Sequence, residues 1–160
     1  MEKAIDKKIK RIVIVGPEST RKTVLCEQLA KHYNTIYVPE YARTYFEEHD
    51  INNYDTSDLE KIAKKQLELE KEYLAKANRF LFCDTSLITV KIWSTHKFNK
   101  VPNFITKSIK DNDYDLTLVT NNDIPWVADP QRRNEDLREH LFKWNKHELN
   151  QHSKTSNFRY

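Results

Sequence analysis

Residues 9–23 read IKRIVIVGPESTRKT, and this stretch decides the fold. Ile12, Val13, Ile14 and Val15 are four consecutive β-branched residues inside a run from Ile9 to Val15, which reads as a short buried strand. A polar turn, Gly16 to Arg21, follows. Lys22 to His32 then carries apolar residues at Val24, Leu25, Leu29 and Ala30, a helical spacing. Between strand and helix, Gly16-Pro17-Glu18-Ser19-Thr20-Arg21-Lys22-Thr23 meets the pattern G-x-x-x-x-G-K-[ST] at every defined position but one. Arg21 stands at the second glycine.

In such a loop, successive backbone N–H groups and the helix N-terminus surround phosphates. Lys22 reaches the β- and γ-phosphates, and Thr23 gives its hydroxyl to Mg²⁺. Residues 16 to 23 are therefore the candidate ATP site, with ATP and Mg²⁺ as the expected cofactors. The competing reading is an ordinary polar strand-to-helix turn. A glycine at position 21 lets the backbone come close to the phosphates and adopt conformations that a Cβ disfavours. Arg21 adds a side chain where space is tight, and its guanidinium is itself able to pair with phosphate.

Outward from the loop, strands alternate with helices. Thr35 to Val38 reads as a second strand, closed by Pro39, and Asn34 as a stand-in for the glycine that ends a helix. Tyr41 to Glu48 reads as helix. Residues 50 to 57 form a loop, with Ser57 or Asp58 capping a long helix from Leu59 to Ala77. Phe80 to Cys83 is a third strand ending at Asp84, followed by helix from Ile88 to Phe98. Pro102 breaks the chain, Phe104 to Ile109 is a short helix, and Leu116 to Val119 a fourth strand. Asn121 to Pro130 is a loop and Asp136 to Leu149 a helix, with Leu137, Leu141, Phe142 and Leu149 inward. The last stretch, QHSKTSNFRY, shows no pattern. The alternation predicts a P-loop NTPase fold of class α/β, three layers α/β/α with a mainly parallel sheet of four or five strands.

The chain has 160 residues, which suits one domain over 1–160, with 1–8 and 151–160 peripheral. Lys plus Arg number 27 against 24 Asp plus Glu, a net charge of +3. The densest basic run, KKIKR at positions 7 to 11, reads as a solubilising lead-in, and no aromatic-laced basic stripe points to nucleic acid. No apolar run approaches the roughly 20 residues of a membrane helix, and the N-terminus is not a signal peptide. The two cysteines, Cys26 and Cys83, form no disulfide framework and read as small core residues, so a reducing cytoplasm is the default location. The six histidines show no ligand spacing. A single glycine, where average usage near 7% would give roughly 11, marks any glycine-dependent site as altered.

In open parallel sheets, ligands sit beyond the carboxyl ends of the strands. Asp84, at the end of the apolar Leu81-Phe82-Cys83, is placed to hold Mg²⁺ directly or through water. The alternative is a capping Asp84 over Thr85-Ser86. Glu40 and Arg43 follow the second strand. Glu40 suits acceptance of a proton from a hydroxyl or contact with sugar hydroxyls, and Arg43 suits neutralisation of a transferring phosphoryl group. A solvated ion pair is the structural alternative. Trp93, in KIWS, stacks on a flat ring or packs in the core. Arg132, Arg133 and Arg138, after WVADPQRR, form either a lid over phosphates or a solvated basic turn.

Together, IVGPEST-x-KT, VPEYAR, LFCDT-x-LIT-x-KIW, YDL and DIPWVAD resemble the ribosylnicotinamide kinase domain of the bacterial NadR-type NAD-biosynthesis proteins and its stand-alone AAA-domain-containing ATPase relatives. The resemblance runs in order from about residue 11 to residue 145. It implies a nucleoside-kinase-like fold and transfer of the ATP γ-phosphoryl to the 5′-hydroxyl of nicotinamide riboside, a small-molecule nucleoside. On it, Glu40, Tyr41 and Arg43 lie near the ribose and the reacting centre, and Asp84 opens the family's Asp-Thr-Asp. Trp93 packs against the nicotinamide ring, and Trp126, Val127 and Asp129 belong to a lid with Arg132 beyond.

Four departures from the family pattern stand out. Arg21 replaces a glycine, Ser86 the second Asp of Asp-Thr-Asp and Pro130 a lid glycine. The family also continues past the last helix into a further strand and helix. Two other readings stay open: a silent nucleotide-binding or interaction module of the same fold, and a P-loop kinase for another nucleoside.

Overall fold

A computed structural model describes residues 8–17, 21–121, 138–152 and 158–159. In chain order the elements are β1 (Lys10–Val15), α1 (Lys22–His32), β2 (Tyr37–Val38), α2 (Tyr41–Glu48), α3 (Thr56–Leu74), β3 (Phe80–Asp84), α4 (Leu87–Phe98), α5 (Asn103–Asp111), β4 (Leu116–Val119), α6 (Arg138–His152) and β5 (Phe158–Arg159). The strands form one sheet in the order β2-β3-β1-β4-β5, and every pairing is parallel. Parallel strands need crossovers, which the intervening helices supply, giving the expected three-layer α/β/α arrangement.

Side-chain alternation assigns the two faces of the sheet. Val13, Val15, Leu81 and Cys83 join one buried cluster with Leu59, Ile62 and Ala63 of α3, Ile88 and Ile92 of α4, Ile105 and Ile109 of α5, and Leu141 and Leu149 of α6. Ile14 and Phe82 are buried from the opposite face, where Cys26 and Ala30 of α1 are buried too. Leu141 and Leu149 take the inward positions expected of them and Phe142 is half-buried, whereas Leu137 lies outside the described residues.

Three local expectations are corrected. The long helix begins at Thr56 and ends at Leu74. Its cap is Asp55, whose carboxylate accepts from the Ser57 and Asp58 N–H groups while Asp58 accepts from the Asp55 N–H. That capping box outcompetes a start at Ser57 or Asp58. The second strand shrinks to Tyr37–Val38. Thr35 leaves the ladder because its hydroxyl donates to Phe80 O (2.7 Å) and accepts from Asn78 N (2.9 Å). The patternless C-terminal stretch contributes β5, which pairs with Thr117 and Leu118 of β4.

Scarcity of glycine is visible in the backbone. Gly16 has φ 147°, and Arg21, Asn34, Arg79, Thr85 and Asn99 also hold positive φ. Asn tolerates this region best, and Asn34 and Asn99 follow α1 and α4, where chains commonly turn left-handed.

At the end of the sheet remote from the Gly16 turn, Arg11 ties β1 to α3 and to the connection between α5 and β4. Its guanidinium donates to Glu70 Oε2 (2.8 Å), Asn112 Oδ1 (2.7 Å) and Asp113 O (3.0 Å), and lies over the Tyr114 ring. The Tyr114 hydroxyl donates to Glu70 Oε1 at 2.6 Å. Burial, then the Glu70 charge, pushes the Tyr114 phenol well up. On the helical layer, Lys91 of α4 pairs with Glu148 of α6 at 2.6 Å, both largely buried.

Candidate functional site

The chain leaves β1 at Gly16, pressed against the end of β4. A Cβ on Gly16 would lie 2.2 Å from Thr120 Oγ1 and 2.8 Å from Thr120 O. Thr120 is fixed there because its N–H donates to Val15 O at 2.8 Å. Position 16 thus needs glycine for both space and conformation. Lys22 Nζ turns back over the loop and donates to Gly16 O (3.1 Å) and Pro17 O (2.9 Å). Arg21 forms the N-cap of α1 with φ 59° and ψ 33°, the left-handed conformation that a glycine would take freely, and its side chain is exposed. That backbone costs an L-residue about 1–2 kcal/mol. Glu18, Ser19 and Thr20 lie outside the described residues.

From the first turn of α1, Thr23 Oγ1 donates to Asp84 Oδ2 at 2.6 Å. Asp84 closes β3 opposite Ile14 of β1 and is only 1% exposed. Its second oxygen, Oδ1, is buried with no hydrogen-bond partner among the described residues. Burial raises the Asp84 carboxyl above the ordinary aspartate value. The Thr23 hydrogen bond and the charges of Lys22 and Arg43 pull it back, and Glu27 adds to the rise. A hydroxyl beside a desolvated carboxylate with an open lone pair fits a small hard cation. No group of three or more His, Cys, Asp or Glu among the described residues could hold a metal unaided. Mg²⁺ at phosphate sites characteristically takes only one or two protein groups, the rest of its shell coming from water and phosphate oxygens.

Asp84 is not a helix cap. Ser86 takes that role, its hydroxyl accepting from Ile88 N at 3.3 Å at the start of α4. The residue that departs from the family's acidic position therefore has a structural task.

Glu40 and Arg43 open α2 beyond the end of β2. Arg43 acts electrostatically on Asp84, and Glu40 on Cys26 beneath the loop. Both are half-buried and follow the carboxyl end of β2, which pairs in parallel with β3, the strand that Asp84 closes. A buried residue that the sequence reading passed over sets their position. Gln66 of α3 accepts from Tyr41 N (2.8 Å) and donates to Pro39 O (3.2 Å), clamping the chain on both sides of Glu40. Its signal in the sequence is a glutamine four residues after Ile62, on the helix face that carries the core.

Trp93 is half-buried against the core, its ring edge-on to His96, which is edge-on to Trp144 of α6. Trp126, Val127, Asp129, Pro130, Arg132 and Arg133 lie outside the described residues, as does the Arg138 side chain. Both thiols are buried as expected of core cysteines. Burial pushes the Cys26 thiol far up, and Asp84 adds to it; burial also raises Cys83, with Glu70 beside it. No helix among the described residues is long and apolar enough to cross a membrane.

A Walker-type lysine, a Thr–Asp pair joining the first turn of α1 to the end of β3 and a parallel sheet in this order define a P-loop nucleoside-kinase-like α/β domain. A family profile described as an AAA domain matches residues 11–156. The Trifunctional NAD biosynthesis/regulator protein NadR of Salmonella typhimurium is 30% identical over 127 residues, and its counterpart in Escherichia coli strain K12 equally so. Each match covers 78% of this chain and 31% of the relative, so the chain spans about a third of those proteins' length. The crystal structure of NadR protein in complex with NR superposes with a TM-score of 0.79 at 24% identity, covering 95% of this chain and 44% of that one. The thymidylate kinase of Candida albicans superposes at 0.58 with 14% identity, over 95% of this chain and 82% of its own, and speaks for the fold alone. The chain belongs to the AAA domain family, as a NadR-type nucleoside- or nucleotide-kinase-like domain.

Proposed function

We propose that the chain is an ATP-dependent kinase that phosphorylates the 5′-hydroxyl of nicotinamide riboside, giving nicotinamide mononucleotide and ADP, in the cytoplasm. The observation that carries this reading is the 2.6 Å bond from Thr23 to Asp84 beside a buried Asp84 oxygen with no partner among the described residues. It supports a cation-assisted triphosphate site, and the kinship with NadR supports the acceptor.

In this reading residues 16–23 cradle the triphosphate, the loop N–H groups and Arg21 facing its oxygens. Lys22 exchanges its two carbonyl partners for the β- and γ-phosphates. Thr23 and Asp84 hold Mg²⁺. The cation, when bound, neutralises charge on the phosphate oxygens. The acceptor oxygen bonds to the γ-phosphorus as the bond to the β,γ-bridging oxygen breaks, and Glu40 accepts the hydroxyl proton. Arg43 and Arg132 offset phosphoryl charge, and Tyr41, Trp93 and Trp126 line the acceptor. Gln66 holds Glu40 in register through the chain on either side of it.

Incubation with Mg²⁺-ATP and nicotinamide riboside, read by chromatography, should yield equal amounts of nicotinamide mononucleotide and ADP. A folded protein that turns over neither this riboside nor a panel of other nucleosides overturns the kinase reading. The Arg21 guanidinium at the loop favours one second reading, a nucleotide binder without turnover. Calorimetric titration with Mg²⁺-ATP would then saturate while no product forms.

A further inference from the structure

Thr85 holds a backbone that its residue type disfavours. It is β-branched, 3% exposed, and sits at φ 79°, between Asp84 at the end of β3 and Ser86 at the cap of α4. A β-branched residue at positive φ is a genuine outlier, and such outliers persist only where their surroundings over-determine them. Two anchors do so here. The Thr85 N–H donates to Ile14 O at 2.9 Å, carrying the β1–β3 ladder one step past the Ile14–Asp84 pair. Its Oγ1 lies 3.4 Å from Thr89 Oγ1 in the first turn of α4.

The neighbour that profits is Asp84. Its carboxylate is desolvated, with one oxygen on Thr23 and the other without a partner among the described residues. Left to itself, a group in that condition swings toward water. The chain on its carboxyl side cannot yield, because Thr85 is locked from the sheet and from α4. We propose that Thr85 is a positioning residue, whose strained and doubly anchored backbone holds the Asp84 carboxylate against Thr23 with Oδ1 kept free for a divalent cation. The cation's role rests on the phosphate-site reading above; the positioning of Asp84 does not.

The test uses Thr85→Gly, which relieves the strain and removes the hydroxyl anchor at Thr89, and Thr85→Ser, which keeps the Cβ and that hydroxyl. Thr85→Ala, lacking both branches, moves the same way as the glycine variant by less, and replaces it should that variant fail to fold. Two readouts are combined. In the first, denaturation midpoints are measured for a cycle between Thr85→Gly and Thr23→Val. The loss caused by Thr23→Val should fall to less than half in the glycine background, because the carboxylate no longer waits for the hydroxyl. In the second, Mn²⁺ binding is followed by electron paramagnetic resonance with a non-hydrolysable ATP analogue. Thr85→Gly should bind Mn²⁺ about 10-fold more weakly, and Thr85→Ser close to wild type. An additive cycle, or Mn²⁺ binding by Thr85→Gly equal to wild type, overturns the positioning role. Wild type that binds no Mn²⁺ with nucleotide overturns the phosphate-site reading instead, and the cycle still decides for or against Thr85.

Discussion

Thr23 Oγ1 donates a 2.6 Å hydrogen bond to Asp84 Oδ2, joining the first turn of α1 to the end of β3. The bond satisfies half of a carboxylate whose other oxygen has no partner among the described residues, so burial leaves its charged form poorly compensated. Asp84→Asn keeps an acceptor for Thr23 and removes that charge. We expect the variant without ligand to gain on the order of 1 kcal/mol at neutral pH. In the proposed kinase reaction, turnover should drop roughly 100-fold or more, since a carboxylate proposed to hold the cation is lost and several kcal/mol of charge stabilisation go with it. The gain depends on pH with a defined sign. Burial raises the folded-state value of Asp84, so as pH climbs from the ordinary aspartate range the unfolded chain ionises first. Wild-type stability therefore falls, relative to Asp84→Asn, from that range up through the raised value, and the difference is constant above it. Chemical denaturation of both proteins between acid and neutral pH measures the divergence.

Gly16 makes the opposite demand. A methyl group there meets the Thr120 hydroxyl at 2.2 Å and the Thr120 carbonyl at 2.8 Å, at a φ of 147°. Overpacking and backbone strain together predict that Gly16→Ala destabilises by about 3 kcal/mol. Adding Thr120→Ala removes the nearer atom and leaves the carbonyl, so the double variant should recover part of the loss and not all. Urea denaturation of the three proteins checks both statements.

Most of the fold was legible because its signals are local. The β-branched run 12–15, the apolar strand before Asp84 and the spacing of Leu59, Ile62 and Ala63 each declare their element within a few residues. The positions of Lys22 at the start of α1 and Asp84 at the end of β3 could be read for the same reason. What escaped depends on contacts distant in sequence. Gln66 and Glu70 occupy the core face of α3 as polar residues, and only their partners 25 to 59 residues away, Tyr41 and Arg11, explain them. Asp55 lost the cap to Ser57 and Asp58 in the sequence reading because all three are capping types, and only the reciprocal bond to Asp58 separates them. Two residues of β5 carry no periodicity at all. The strain at Thr85 was hidden for a different reason, since a β-branched residue is not expected at positive φ.

Arg21 separates stability from binding. Its left-handed backbone costs about 1–2 kcal/mol, while glycine loses roughly 0.4–1 kcal/mol more entropy on folding. Arg21→Gly should thus stabilise the chain modestly, by about 0.5–1 kcal/mol. If the exposed guanidinium meets phosphate, as proposed, affinity for Mg²⁺-ATP should fall about 10-fold in the same variant, in line with loss of one charge-assisted hydrogen bond. Calorimetry and denaturation of one protein would then move in opposite directions. A rise in both quantities would mean that the side chain obstructs the loop.

Arg11 and Glu70 stand far from this chemistry and should behave accordingly. Glu70 accepts from the Arg11 guanidinium and the Tyr114 hydroxyl while almost wholly buried, so its removal strands a charge and a phenol at once. Glu70→Ala is expected to cost about 3–5 kcal/mol, the range for a buried pair broken on one side. Glu70→Gln keeps an acceptor for Tyr114 and should cost less, roughly 1–3 kcal/mol. The exposed Lys64–Glu60 pair on the same helix, although only 2.9 Å apart, should be worth about 0.3–0.5 kcal/mol and fade with salt. Because the Arg11 cluster braces the amino end of β1 and the phosphate loop leaves its carboxyl end, kcat/KM per folded molecule should be unchanged in Glu70→Gln. A change in nucleotide affinity in that variant, at a temperature where it is fully folded, would show that the two ends of the strand are mechanically coupled.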